Sequence, residues 1–583
     1  MAATTSFGRT RVWVLILLAL SCLPYANSIL NGFVIDDPFV YSDNHFIRSL
    51  GNLSHLFDRS YFLYSGEASY RPVCTATYFL DWALWRGWPG GPHLTNVLLY
   101  AGLVVLLFFL FRGLTGSQPA AFLGAAFFAL HPVHTEVVNN IAFREDLLVP
   151  LFLAASWQAF RSGQRGRRWV WLPLAWVSYL FALFSKEGAV VFPVLAAVLL
   201  YAALPAAAEE SRGGAVRARA GWGSLPAGTA AFLAGLIVCT GLFLAIRFHW
   251  MQFAGEANQP RLGGSLVGTL LADVKIQAYY FYLFIFPGRL QALYPARMHS
   301  PTVDPAFFAS LAVLLAILAL LIAHRRSRLF VAGMLFWVVS LAPVSNLYPI
   351  FNPMAERYLF LPSVGLCLWA GWGISTWLAG RFRRAAVCVC MVAAALMAVL
   401  VFIRNPAWRD NLTVWGGLAR VTPKDPTVLS NLAAAYYEKG QYDKVIPTAE
   451  RALILSHGTQ SRFDPTPCYV ALGCAHFLRG DKDKALACFQ SAEARLPCRF
   501  DMDAAVYRNI AMIFEGRGDF ASAAAYYEKT AAIDPFRAEL WCKLAHCQLR
   551  AGKRPDAERS WDRARRLDRK VPPFADLESA VRR

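Results

Sequence analysis

The sequence predicts an all-α protein in two parts, a polytopic membrane helical bundle of about 11 spans followed by a soluble α-solenoid of helix-turn-helix repeats. Three observations carry this. The 583 residues are 56% hydrophobic and only 16% charged, too apolar for one soluble globular chain. The charges are unevenly spread, with 29 basic and 16 acidic residues up to Arg404 against 28 and 22 in the much shorter remainder. Beyond residue 426 the pattern repeats at the interval of a two-helix unit.

Apolar stretches near 12–30, 93–112, 119–132, 146–160, 169–184, 188–204, 226–247, 304–323, 329–347, 357–378 and 385–404 are read as spans. The first is read as a retained span instead of a cleaved leader, because the best chemical candidate follows it directly. The stretch 272–288 is ambiguous, and charge decides it. If it is interfacial, the clusters Arg161/Arg165/Arg167/Arg168, Arg212/Arg217/Arg219, Arg325/Arg326/Arg328 and Arg381/Arg383/Arg384 share one side. The expected orientation is therefore a cytoplasmic N-terminus and an exoplasmic tail, periplasmic in a bacterial inner membrane or lumenal in an endoplasmic reticulum. Only Glu209 and Glu210 among the membrane part's acids then face the cytoplasm, which marks the outer side as the place of the chemistry. The same basic bias accounts for the net charge of +19 without a nucleic-acid partner. Twelve cysteines with no paired CxxC spacing argue against a thiolate metal site.

The expected divisions are a membrane domain over 1–404, with a first outer loop over 31–92, a linker over 405–425, about four repeats over 426–570 and a tail over 571–583. The repeats align Leu432-Ala433, Leu472-Gly473, Ile510-Ala511 and Leu544-Ala545, with Gly440, Gly480, Gly518 and Gly552 at one offset and Ala449, Phe489, Tyr527 and Trp561 at another. Their starts near 426, 466, 504 and 538 bracket the tetratricopeptide period.

Asp36 and Asp37 lie just past the first span, where desolvation favours a general base. Asp-Asp-Pro is equally good turn chemistry. Arg71 is placed to reach a lipid phosphate or to snorkel at the interface. His131, His134, Glu136, Arg144, Glu145 and Asp146 crowd the junction of two spans, and Lys186, Glu187, Glu356 and Arg357 add to the same side. The HxxHxE spacing suits hydrogen bonding better than a divalent cation, so no metal ligand is assigned. Arg144, Lys186 and Arg357 would clamp a phosphate, unless each merely pairs with its neighbouring carboxylate.

In order, these motifs resemble those of the transmembrane and tetratricopeptide-repeat O-mannosyltransferases of the GT-C glycosyltransferase class, and of related bacterial membrane proteins. They are Asp36-Asp37, S-Y-R-P (Ser69 to Pro72), H-P-V-H-T-E with R-E-D-L-L (His131 to Leu148), S-K-E-G (Ser185 to Gly188), P-V-S-N (Pro343 to Asn346) and A-E-R-Y-L-F-L-P-S (Ala355 to Ser363). Phe143-Arg-Glu-Asp replaces the family's G-R-A-D, and about four repeats replace a longer array. The resemblance implies inverting transfer of one sugar, mannose, from a polyprenyl or dolichyl phosphate carrier to protein Ser/Thr hydroxyls. Asp36 or Asp37 would be catalytic, and Arg71, Arg144, Lys186 and Arg357 would hold the donor phosphate. His131, His134, Glu136, Glu145, Asp146, Glu187 and Glu356 would support them. The repeats would bind the acceptor protein through Asn431, Asn509 and Lys543, whose amides and ammonium suit a peptide backbone. Competing expectations are a GT-C ligase or polymerase acting on glycolipid, and a non-catalytic membrane scaffold.

Overall fold

The computed structural model describes residues 2–58, 62, 70–203, 226–250, 261–380, 383–456, 463–496 and 500–582. Ser69, the cluster Arg212/Arg217/Arg219 with Glu209 and Glu210, Arg381, Pro497 and Cys498 lie outside the described residues. No strand occurs among those described. Packing divides the chain into two units, Met1–Gly32 with Tyr70–Arg409, and Phe33–Ser69 with Asp410–Arg583.

In the first unit the described residues of each of the eleven apolar stretches fall mainly in helices. Among the described residues, six helices are long and apolar enough to cross a membrane: Thr10–Leu30, Gly90–Thr115, Ala227–Trp250, Pro305–Ala323, Glu356–Leu378 and Arg383–Trp408. Gln118–Leu130 and Pro132–Asn139 make a seventh if joined across a 51° bend. Others fall short of the roughly 20 residues a span needs; Phe192–Ala202 has 11 and Arg328–Leu341 has 14. Arg144–Gly163 instead opens on three charges. Pro305–Ala323 has no buried residue and turns Leu315, Leu318 and Ile322 outward, as a lipid-facing helix does. Inside, Tyr100, Phe128, Trp157 and Phe360 anchor a closed aromatic core. Two helices meet at Gly333 and Gly365, where a Cβ on Gly365 would lie 2.5 Å from the Gly333 carbonyl. Small residues are what allow such backbone contact in membrane bundles.

Among the described residues, the second unit contains four helix pairs: Pro426–Glu438 with Tyr442–Ser456, Thr466–Leu478 with Lys482–Glu493, Phe500–Gly516 with Phe520–Ile533, and Ala538–Arg550 with Arg554–Leu567. Each pair turns on one of the aligned glycines, at φ between +70° and +87°, a conformation that favours glycine over any L side chain. Ala449, Phe489, Tyr527 and Trp561 are buried at the pair interfaces.

Two expected boundaries are corrected. The segment 405–425 is no bare linker, because Asn411–Val421 is a helix capped by Asp410, which accepts the Thr413 N–H at 2.8 Å. The outer loop 31–92 is divided, since Phe33–Ser69 belongs to the second unit and Pro72–Trp85 is a helix of the first. The cause is packing that composition does not show: Phe46 meets Phe536 edge to face at 5.1 Å, and Arg48 lies in the field of Asp534 and Arg537.

His45 belongs to that segment. Burial first, and then Arg48 and Arg537, push its imidazole down to about 4, against the ordinary value of about 6.5. Its folded value is depressed, so it stabilises the folded segment fully above about pH 6.5 and progressively less as pH falls toward 4. Amide protection across residues 40–57 is expected to weaken over that window once intrinsic exchange is corrected for. Constant protection would refute this.

Candidate functional site

The Asp-Asp motif forms a tight turn within the second unit. Ile35 has φ of +54°, a left-handed conformation that a β-branched side chain adopts only under constraint. Asp37 is fully buried; its Oδ2 accepts the Val34 N–H at 3.0 Å, and its own N–H donates to the Val34 carbonyl at 2.9 Å. It closes the turn on itself. Asp36 is only half-buried, and its carbonyl accepts the N–H groups of Phe39 and Val40, which starts the helical turn Pro38–Ser42.

Within the first unit the polar run from His131 breaks the helix at Pro132, which has no N–H to continue it. Beyond the break lies a belt of ion pairs. Arg71 forks onto Glu187, Nη2 to Oε1 at 2.9 Å and Nε to Oε2 at 3.2 Å, and also pairs with Glu145. Lys186 bridges Glu145 at 2.9 Å and Asp146 at 2.7 Å. Arg357 pairs with Glu136 at 2.8 Å through its side chain and at 2.7 Å through its N–H. Arg404 grips both oxygens of Glu356 at 2.8 Å, and Arg247 reaches Glu187 at 3.6 Å. The pairs adjoin, because Asp146 lies in the field of both Lys186 and Arg357, and Glu356 in that of Glu136. Local helix geometry helps: Glu145 and Asp146 occupy the first turn of Arg144–Gly163, and Lys186 caps the end of Arg168–Ser185, where the dipoles favour those signs. No cation of the belt pairs with its sequence neighbour, so the pairing expected from adjacency is replaced by pairing between elements.

Arg144 is set apart. It is fully buried, and its guanidinium donates to Asp81 at 2.5 Å, Asn96 at 2.7 Å, Thr77 at 3.0 Å and the Pro92 carbonyl at 3.2 Å. A phosphate there would have to displace four protein acceptors. Of the four cations expected to hold phosphate, the fold therefore gathers Arg71, Lys186 and Arg357 and diverts Arg144. Phe143 and Glu145, the two residues by which Phe143-Arg-Glu-Asp differs from G-R-A-D, both touch the gathered three: the Phe143 ring lies 4.2 Å from the Arg357 guanidinium, and Glu145 binds Arg71 and Lys186.

His131 and His134 are wholly buried and face protein atoms. His131 Nε2 donates to the Phe284 carbonyl at 2.8 Å, and its ring stacks on Phe284. His134 meets Tyr100 Oη and the Phe128 carbonyl at 2.9 Å through Nδ1, and Ser363 Oγ at 3.0 Å through Nε2. With Glu136 given to Arg357, the HxxHxE residues converge on no common point. Among the described residues, the one group with metal-ligand proximity is Glu515, His546 and Cys547 in the repeats, and Glu515 already accepts Tyr527 Oη at 2.7 Å. Of the expected acceptor residues, Asn431 donates back to the Thr427 carbonyl at 2.9 Å, Asn509 to Cys474 Sγ at 3.6 Å, and Lys543 approaches Glu515 at 3.5 Å.

Sequence reasoning missed Asp81, Arg247 and Arg404. It also missed a buried chain of amides in which Asn31 Nδ2 donates to Asn139 at 3.0 Å and Asn139 Nδ2 to Asn405 at 2.8 Å. Asp81 carried a usable signal, as a lone acid in the aromatic run Tyr78 to Trp88.

Comparison with known proteins bears on both units. The tetratricopeptide repeat family profiles match residues 428–463 and 516–581. The chain is 25% identical over 73% of its length to protein O-mannosyl-transferase F38B6.6 of Caenorhabditis elegans. It is 24% identical over 75% to Tmtc1 of Drosophila melanogaster, and 24% over 72% to TMTC3 of Homo sapiens, both also named protein O-mannosyl-transferases. Matches that long cannot be supplied by the repeats alone and must run through the membrane helices. The chain is thus similar, over most of its length, to members of the transmembrane and tetratricopeptide-repeat O-mannosyltransferase family. It covers 60%, 60% and 49% of those three relatives, and so spans about half to three-fifths of the length of the family members it matches.

Proposed function

We propose that the chain transfers mannose from a polyprenyl-phosphate carrier to serine or threonine hydroxyls of proteins on the exoplasmic side of a membrane. The observation that carries this is the likeness to three proteins named protein O-mannosyl-transferases over more than 70% of the chain. Asp36 is the base and Asp37 its holder, a division supported by the burial and self-closure of Asp37. Asp36 takes the acceptor hydroxyl's proton as that oxygen bonds to the anomeric carbon. The bond from that carbon to the phosphate oxygen breaks, and its electron pair leaves on the carrier phosphate. Arg71, Lys186 and Arg357 receive that phosphate, and Arg144 holds the scaffold beneath them. The repeats dock the acceptor protein.

The test is reconstitution. Purified chain in lipid with polyprenyl-phosphate mannose and a Ser/Thr peptide is expected to yield peptide carrying one added hexose by mass spectrometry. Hexose on an added glycolipid but never on peptide would move the activity to the glycolipid class.

Glu145 sharpens the donor assignment. Its carboxylate occupies Arg71 and Lys186, yet each cation keeps a second partner, Glu187 or Asp146. Glu145→Ala is therefore expected to free positive charge without orphaning it, and to tighten polyprenyl-phosphate binding about tenfold, or about 1.4 kcal/mol. Unchanged or weaker lipid affinity would remove this belt from the donor site.

A further inference from the structure

We propose that Asn411 and Glu438 are positioning residues for Asp36, holding the Ile35 turn, and through it the carboxylate, from the base of the repeat array. The inference rests on the assignment of Asp36 as the base. Among the described residues, Ile35 is the one β-branched side chain at positive φ, and such a conformation persists only where its surroundings over-determine it.

The constraint is visible on both sides of the turn. The Val34 N–H is taken locally by Asp37 Oδ2 at 3.0 Å, and the next N–H, that of Ile35, donates to Asn411 Oδ1 at 2.8 Å. Asn411 opens the helix Asn411–Val421 and is only 9% exposed. Its orientation is dictated from beyond. Both carboxylate oxygens of Glu438, the last residue of Pro426–Glu438, accept from Asn411 Nδ2, at 3.2 and 3.0 Å. A carboxylate has no hydrogen to give, so the amide must turn its NH2 toward Glu438 and its carbonyl toward Ile35. An ion pair between Lys439 and Asp410 at 2.7 Å clamps the same two elements alongside. Thus the first repeat helix fixes Glu438, Glu438 fixes Asn411, and Asn411 fixes the residue before Asp36. A general base acts only from within hydrogen-bond reach of its proton, so loosening this chain costs rate without altering donor contacts.

The test compares four full-length chains, the parent, Asn411→Asp, Glu438→Gln and the double variant, by kcat, by KM for polyprenyl-phosphate mannose and by melting temperature. Asn411→Asp sets two carboxylates against each other, and kcat is expected to fall about tenfold with KM unchanged. Glu438→Gln lets the Asn411 amide face either way and is expected to cost about threefold. The double variant restores the pattern, because the introduced carboxylate accepts from the Ile35 N–H and from the introduced amide; its kcat is expected within about twofold of the parent. Parental kcat in both single variants overturns the proposal. So does a loss that follows melting temperature and is not rescued by the double variant. Hydrogen exchange at Ile35, slow in the parent and double and fast in the singles, reads the hold without reference to transfer. If the parent transfers no sugar, the proposed transferase function fails, while uniform Ile35 exchange across all four chains would sink the hold itself.

Discussion

Asp36→Asn is expected to leave polyprenyl-phosphate affinity intact and to cut transfer about a hundredfold or more, the usual loss when a general base is removed. Asparagine keeps the shape and the acceptor oxygen but has no basic oxygen to take a proton. Asp37→Asn provides the contrast. Its amide oxygen still accepts the Val34 N–H that Asp37 Oδ2 accepts at 3.0 Å, so the turn survives and the loss is expected to stay below about tenfold. Single-turnover transfer with lipid binding measured separately checks both. Equal losses in the two variants, or a larger loss at Asp37, would reverse the roles.

The largest stability effect is expected at Asp81. Arg144 and Asp81 are wholly buried in the first unit, 2.5 Å apart, and neither has water to fall back on. Removing one partner of a buried pair strands the other charge, at a typical cost of about 3–5 kcal/mol. Asp81→Asn should thus lower the apparent melting temperature in detergent sharply. Combining Asp81→Leu with Arg144→Met should cost less than Asp81→Asn alone, because no charge is left unpaired. A double variant less stable than the single would show that the pair's hydrogen bonds to Asn96 and Thr77 matter more than its charge.

What the sequence reveals and what it hides divide along a physical line. Hydropathy locates the six described helices long and apolar enough to cross a membrane, and Gly440, Gly480, Gly518 and Gly552 place each repeat turn, because these are local properties of a chain in water or lipid. Partner choice is not local. Lys186 stands beside Glu187 in sequence yet binds Glu145 and Asp146, and Arg357 stands beside Glu356 yet binds Glu136. Six ionisable groups in one run announce a site, but which of them remains able to meet a ligand is settled by burial alone. That is why Arg144, the most prominent arginine of its motif, turns inward to Asp81. The segment from Phe33 hides for the same reason, since its bond to Asn411 joins residues 376 positions apart.

That separation gives the turn a history. On the ribosome Ile35 emerges long before Asn411. At about 5–20 residues per second, the 376 residues between them take roughly 20 to 75 s to make. During that time the Ile35 N–H has no Asn411 amide to donate to, and nothing from that side holds Ile35 at positive φ. The nascent chain thus carries Asp36 beside a turn that lacks this hold until the first repeat helix is complete and Glu438 is delivered.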